Sequence, residues 1–180
     1  MERSISFVIG KGSINHNSRT FIANNVDSNR TQYNIEYINK DIKQVYHELF
    51  DDAVKKYNSK QTRSNRTISD YYEKIRAGKQ EKLFHEVIVQ IGNMDDMNCM
   101  SDNGELAKII LDEYMKSFQQ RNPNLHVFSA HLHMDEQTPH LHIDFIPFTT
   151  GSKRGLETRV SLKQALKAQG FTGGTRSETE

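Results

Sequence analysis

The chain has a single cysteine, Cys99, among 180 residues. A disulfide framework is therefore excluded, and an intracellular setting fits best. Also lacking is any apolar run of the roughly 18 residues that a membrane-spanning helix needs. The first residues, from Met1 to Phe7, do not form the long apolar stretch of a signal peptide. Charge of one sign is not in excess, since the net charge is only +1. That balance neither announces nor excludes a nucleic-acid binder, because the distribution of charge matters more than its sum. No internal repeat and no low-complexity segment is present.

What the chain does have is a mixed set of short elements. Hydrophobic residues make up 35% and charged residues 26%, with a mean hydropathy of −0.75. This is a polar chain, long enough for one domain over residues 1–180 with its own core. Ser4 to Gly10 alternates through Ile5, Phe7 and Ile9 and predicts a strand. Residues 14–29 are rich in Asn and Ser and predict an irregular segment outside the core. Asp41 caps a long helix whose apolar stripe is Ile42, Val45, Leu49, Phe50, Ala53, Val54 and Tyr57. Ile68 to Arg76, with the adjacent Tyr71 and Tyr72, predicts a short helix ending near Gly78. Phe84 to Ile91 predicts a buried strand. Gly104 to Gln120 predicts a second long helix with Leu106, Ile109, Ile110, Tyr114 and Phe118 on its inward face. Ser161 to Gln169 predicts a last helix, stopped by Gly170. Strands and helices are mixed, and the expected class is α+β, a central antiparallel sheet flanked by helices. Beyond Phe171 no core-forming residue follows, and the ending reads as a boundary inside a longer protein.

The densest chemistry lies between His131 and His142, where four of the eight histidines occur. Leu125 to His133 alternates and runs into the turn-forming residues Asp135, Glu136, Gln137, Thr138 and Pro139. His140 to Phe148 alternates again, so the two runs predict a β-hairpin. Side chains two apart on a strand share a face, which aligns His140 with His142. His133 sits across from them at the end of the partner strand. Three neutral imidazoles converging at a turn predict a metal site with open positions, suited to Zn, Mn, Fe, Co or Ni. A structural zinc site is usually closed, so open positions favour a catalytic metal. His131 shares a face with His133 and is read as a sheet-face or supporting residue. Asp135 is natural in a turn and could also steady an imidazole. Glu136 is the better candidate for proton transfer.

At this point the residues resemble a family. The run from His133 through Asp135, Glu136, Pro139 and His140 to His142 is similar to the metal motif of the MobV relaxases, the Mob/Pre plasmid mobilisation and recombination proteins. These belong to the HUH endonucleases, named for a histidine–hydrophobe–histidine triplet, here His140, Leu141 and His142. His16, Asn17 and Arg19 resemble the family's H-N-x-R element, and the likeness spans nearly the whole chain. It implies the relaxase fold and a metal-dependent, site-specific nick in one DNA strand at an origin of transfer, initiating conjugative mobilisation. It implies a divalent cofactor, manganese first, with Mg, Zn, Co or Ni as alternatives. It implies His16 as a nucleophile that becomes joined to the 5′ end through a phosphoramidate. Arg19 would steady phosphate charge and Glu136 would assist His16. Implied partners are origin DNA as single strand and adjacent hairpin, a coupling protein or accessory mobilisation proteins, and a second copy through a further C-terminal region. The implied location is the bacterial cytoplasm, on DNA.

Rival readings stay open. Tyrosine is the commoner HUH nucleophile, which keeps Tyr71 and Tyr72 in play. A replication initiator or transposase-type nickase would use one of them, and a DNA-binding module with a structural metal would need no nucleophile. Basic residues suited to DNA phosphates are Lys55, Lys56, Lys60, Arg63, Arg66, Lys153, Arg154, Arg159 and Lys163.

Overall fold

A computed structural model of the chain describes residues 4–171. In chain order the elements are β1 (Ile5–Ile9), α1 (Ile14–Asn17), β2 (Ile35–Asn39), α2 (Ile42–Asn58), α3 (Tyr71–Ala77), β3 (His85–Ile91), α4 (Asp102–Arg121), β4 (Leu125–His133), β5 (His140–Thr149), β6 (Arg159–Val160) and α5 (Leu162–Ala168). The sheet order is β1-β3-β5-β4-β2, with β6 paired to the far end of β5. The class is α+β, and the strand pairings are antiparallel. The chain divides into two compact units. One comprises Met1–Asn39, His85–Arg121 and Val127–Phe145; the other comprises Lys40–Phe84, Asn122–His126 and Ile146–Glu180. The expected ending beyond Phe171 lies outside the described residues.

The first unit is built on the two central strands. Both are buried along nearly their full length. Strand alternation gives them two different faces. Phe128, Ala130 and Leu132 share one face of β4, and Leu141, Ile143 and Phe145 share one face of β5, all buried apolar groups. The opposite face carries Ser129, His131 and His133 from β4 and His142 and Asp144 from β5, all buried and polar. A buried polar face is costly unless each group finds a partner. That face is where the candidate site forms.

Helix α4 lies on the apolar side, where Phe118 meets Phe145 with ring centroids 6.4 Å apart. The face it buries differs from the one expected. Gly104, Ala107, Leu111, Met115 and Phe118 are buried, whereas Leu106, Ile109 and Ile110 are 44%, 51% and 38% exposed. At its start the helix is held tightly against the loop before it: a Cβ on Gly104 would fall 2.2 Å from the Asn98 carbonyl oxygen. Two strands were also not anticipated. β2 pairs with β4, with a register shift between Glu36 and Ile38, and the short β6 pairs with Phe148 and Thr149. The irregular segment 14–29 contains the single turn α1. The strand expected to be buried, β3, is only half so: Glu86, Val89 and Ile91 are buried and the rest are partly exposed.

In the second unit, α2 buries Val45, Tyr46, Phe50, Ala53 and Val54. Phe50 packs against Tyr46 and Tyr71 at centroid distances of 5.2 and 5.0 Å. The Asp41 carboxylate accepts from Gln44 N at 3.0 Å and caps α2 as expected. Asp70 and Ser161 cap α3 and α5 in the same way. Asn58 holds both backbone groups of Ile68, at 2.8 and 2.9 Å.

Packing and capping should separate by size in this unit. Phe50→Ala is expected to destabilise by about 3–5 kcal/mol, and Asp41→Ala by about 1 kcal/mol. Urea unfolding of the two variants checks the order, and an Asp41 effect as large as that of Phe50 would contradict it.

Candidate metal centre

The site lies on the buried polar face of the first unit. Its sheet positions are His133 at the end of β4 and His140 and His142 at the start of β5. Their rings cluster, with centroid separations of 5.2 Å for His133–His140, 4.7 Å for His133–His142 and 5.0 Å for His140–His142. Each ring has one nitrogen committed to an oxygen of the protein. His133 Nε2 meets Asn17 O at 2.8 Å, His140 Nδ1 meets Thr138 O at 2.8 Å, and His142 Nδ1 meets Glu86 Oε1 at 2.6 Å. An acceptor oxygen requires the N–H form at that nitrogen. The opposite nitrogen of each ring then carries a lone pair, the arrangement that an acceptor behind the ring imposes on metal-ligating histidines. His133 Nδ1 and His142 Nε2 are buried with no hydrogen-bond partner. Two such bare lone pairs in one spot are hard to explain as packing, and they fit a divalent cation.

Burial also keeps the His133 and His140 imidazoles neutral. It lowers the pKa of His133 to about 2, helped by His142, and lowers that of His140. Two overlapping sets of donor atoms lie within 4.8 Å of one another: His16, His133 and His142, and His133, Glu136 and His140. His131 is also buried, with its ring 6.3 Å from that of His133 and its Nε2 unpartnered. It belongs to neither set.

His16 comes from α1, far away in sequence. Its ring centroid lies 5.8 Å from that of His133 and 5.9 Å from that of His142. Its Nε2 is 3.3 Å from Glu136 Oε1. Burial, and then the Arg19 charge, lower its pKa, which favours the neutral ring. A cavity of about 480 Å³ opens onto His16, Glu136, His140 and His142, with Asn25, Ile88 and Gln90 also on its wall.

Arg19 lies beside His16 and is held within the protein. Its φ is 57°, an uncommon conformation for a residue with a side chain. Its donors are turned onto the protein. Nε and Nη2 engage Asp135 at 2.9 and 2.6 Å, Nη2 reaches Glu136 at 2.9 Å, and Nη1 donates to His16 O at 2.9 Å. Asp135 is fully buried and also accepts from Thr31 Oγ1 at 3.0 Å and Asn34 Nδ2 at 2.7 Å. Burial opposes its ionisation, but these donors outweigh burial and hold its pKa at about 2. So Asp135 is the anchor that ties residues 19–34 to the hairpin turn, well beyond an ordinary turn residue.

The remaining sequence candidates lie in the second unit. Tyr71 is buried against Tyr46 and Phe50, its hydroxyl accepts from Val160 N at 3.2 Å, and burial raises its pKa. Tyr72 stacks edge-on to Tyr46 and lies under the Lys43 ammonium. Lys56, Lys60 and Lys153 line a cavity of about 230 Å³, with Lys56 paired to Glu157. Arg154 and Arg159 line another of about 610 Å³, together with Lys74 and Lys79. Arg66 lines a third cavity. Lys55, Arg63 and Lys163 are exposed.

Sequence reasoning missed Glu86, Asn17 as a structural partner, and Asn34. Glu86 carried a usable signal, a lone carboxylate inside an apolar strand. Asn34 carried none, because its contacts are with residues about a hundred positions away.

With this geometry in hand, comparison with known proteins places the chain in a class. The family model described as "Plasmid recombination enzyme" (Mob_Pre) matches residues 12–170. The chain belongs to the Mob_Pre family. Two solved structures share its fold over 100% of the chain. One is a MobM relaxase domain (MOBV; Mob_Pre), Mn-bound, on plasmid pMV158 oriT DNA of 22 nucleotides at pH 5.5, with TM-score 0.50, 20% identity and 94% of that chain covered. The other is the same domain, Mn-bound, on 22 nucleotides with a 3′ thiophosphate at pH 6.8, with TM-score 0.50, 21% identity and 94% of that chain covered. No curated protein matches the chain.

Two expectations follow from the site. Arg19→Ala strands a buried carboxylate at Asp135, and urea unfolding should show a loss of about 3–5 kcal/mol. The metal-free protein should also lose stability as pH falls from about 7 to about 5. His16, His131, His133 and His140 all have lowered pKa values in the folded state, so protonation below about 6.5 favours unfolding. His126 is lowered as well, while Asp144, raised to about 6 by burial, and Glu81, also raised by burial, act in the opposite direction, two carboxylates against five histidines. A urea midpoint that stays level or rises over that range would contradict this balance.

Proposed function

We propose that the chain is the catalytic domain of a MobV-type relaxase, a metal-dependent nickase and strand transferase acting on origin-of-transfer DNA. Membership of the Mob_Pre family supports the class. The observation that carries the finer reading is the placement of His16. A histidine from α1 lies within 6 Å, ring to ring, of two imidazoles with bare lone pairs, and Glu136 faces its Nε2 at 3.3 Å.

The reaction follows from these positions. His133, His140 and His142 would hold the cation, and manganese is the first choice because the MobM relatives are Mn-bound. A divalent ion held there would supply positive charge to offset that of the scissile phosphate. The neutral His16 ring attacks phosphorus through the nitrogen turned away from Glu136. A P–N bond forms and the bond from phosphorus to the 3′-side oxygen breaks. Attack places positive charge on the ring, and Glu136 relieves it by accepting the Nε2 proton and passing it to the departing oxygen. That oxygen thereby leaves as a free 3′ hydroxyl, and the 5′ end stays on the histidine. Arg19 keeps Glu136 in place and is held by Asp135 in turn. Reversal of the same steps rejoins the strand. The basic side chains of the second unit, Lys60, Lys153, Arg154 and Arg159 among them, would follow DNA phosphates.

The test uses manganese and a pool of randomised single-stranded oligonucleotides, with the trapped protein digested and read by mass spectrometry. The expected product is a DNA adduct on the peptide containing His16. His16→Ala should abolish it, while Tyr71→Phe and Tyr72→Phe should leave the yield unchanged. An adduct on either tyrosine would overturn the assignment of His16.

A further inference from the structure

We propose that Asn17 is a positioning residue that sets the tautomers of two metal-facing histidines and ties them to the turn carrying His16. The proposal rests on the reading of the site given above and extends it to a residue with no part in the chemistry as such.

Asn17 is 1% exposed and directly follows His16. It reaches the metal-facing rings by two routes. Its backbone carbonyl accepts from His133 Nε2 at 2.8 Å. Its side-chain Nδ2 donates to Glu86 Oε1 at 2.8 Å, and that same oxygen accepts from His142 Nδ1 at 2.6 Å. Both routes end on a ring whose other nitrogen is buried and unpartnered. One residue thus selects the N–H position on two imidazoles whose centroids are 4.7 Å apart. The α1 turn holds Asn17 through Asn17 N to Ser13 O at 2.9 Å, so His16 moves with it.

The chemistry of the amide explains why this position takes Asn. Nδ2 also donates to Asp144 Oδ2 at 3.0 Å, so one nitrogen serves two buried carboxylates with its two hydrogens. The reverse orientation would put the amide oxygen against both. Glu86 is confined as well: its Oε2 accepts from Gly12 N at 2.6 Å, and a Cβ on Gly10 would fall 2.0 Å from that oxygen. Asn17 Oδ1 is left buried without a partner. An unsatisfied amide oxygen is a defect for stability alone. It is understandable if the residue is there for what its nitrogen and its carbonyl hold.

The test has a readout independent of activity. Long-range proton–nitrogen correlation spectra of the metal-free protein report imidazole tautomers directly. In the wild type His133 should carry its proton on Nε2 and His142 on Nδ1; the opposite form at either ring overturns the proposal. In Asn17→Ala, His142 should become a tautomer mixture, and manganese affinity by calorimetry should fall 10- to 100-fold. Adduct formation should stay depressed at saturating manganese, because the His16 turn is no longer held. Asn17→Asp should be worse than Asn17→Ala despite its matching shape, since it sets a third carboxylate beside Glu86 and Asp144. A variant that only loses thermal stability, with wild-type tautomers and manganese affinity, overturns the proposal. If the variants do not fold, the wild-type spectrum still decides. If wild-type protein forms no DNA adduct, the functional reading fails, while tautomers and manganese affinity still judge Asn17.

Discussion

The structure of the site depends on one buried ion pair, Arg19 with Asp135. Asp135 has no exposed surface, and a carboxylate there is tolerable only with its oxygens filled. Arg19, Thr31 and Asn34 fill them. The three donors come from a segment with little regular structure, which is tied to the hairpin further by Asn25 Nδ2 to Glu136 Oε2 and by Met134 N to Asn34 Oδ1, both at 2.6 Å. Once Arg19 is fixed, its remaining donors fall on Glu136 and the His16 carbonyl. The candidate nucleophile and its carboxylate partner are therefore placed by the same side chain. The left-handed backbone at Arg19 is the strain accepted for this arrangement.

Around that anchor, the chemistry is organised by tautomers more than by charge. A buried imidazole facing two others stays neutral, since protonation would be penalised by burial and by its neighbours. A neutral ring has a single lone pair, and its direction is decided by the acceptor at the other nitrogen. Three different acceptors do this: a helical-turn carbonyl, a hairpin carbonyl and the Glu86 carboxylate. The polar face of the sheet is thus more than a set of ligands. It is a hydrogen-bonded layer in which Glu86 of β3 holds the His142 ring and Ser129 of β4 donates to Asp144 of β5.

Much of this was legible in the sequence. The hairpin from Leu125 to Phe148 followed from period-two alternation around a turn, and β4 and β5 match it to within a residue. The grouping of His133, His140 and His142 followed from the same period. The cap at Asp41 is local chemistry and was equally readable. The inward face of α4 was not. Counting large apolar residues selected Leu106, Ile109 and Ile110, but these are exposed, and the helix buries Gly104, Ala107, Leu111, Met115 and Phe118. Hydrophobicity alone does not reveal which face packs. β2 was missed because its five residues mix Ile and Tyr with Glu and Asn, and its strand character comes from its pairing with β4.

By itself, then, the sequence determined what depends on near neighbours: the hairpin, the alignment of the three imidazoles, the helix caps, and through the H-N-x-R and histidine motifs the family. Only the tertiary structure decided what each group does there. It paired Arg19 with the buried Asp135, and it brought Glu86 and Asn17 under the histidines. The physical reason is separation along the chain. Asn17 meets Glu86 and Asp144 across 69 and 127 residues, and Arg19 meets Asp135 across 116. Contacts at that range leave no period and no local spacing to read.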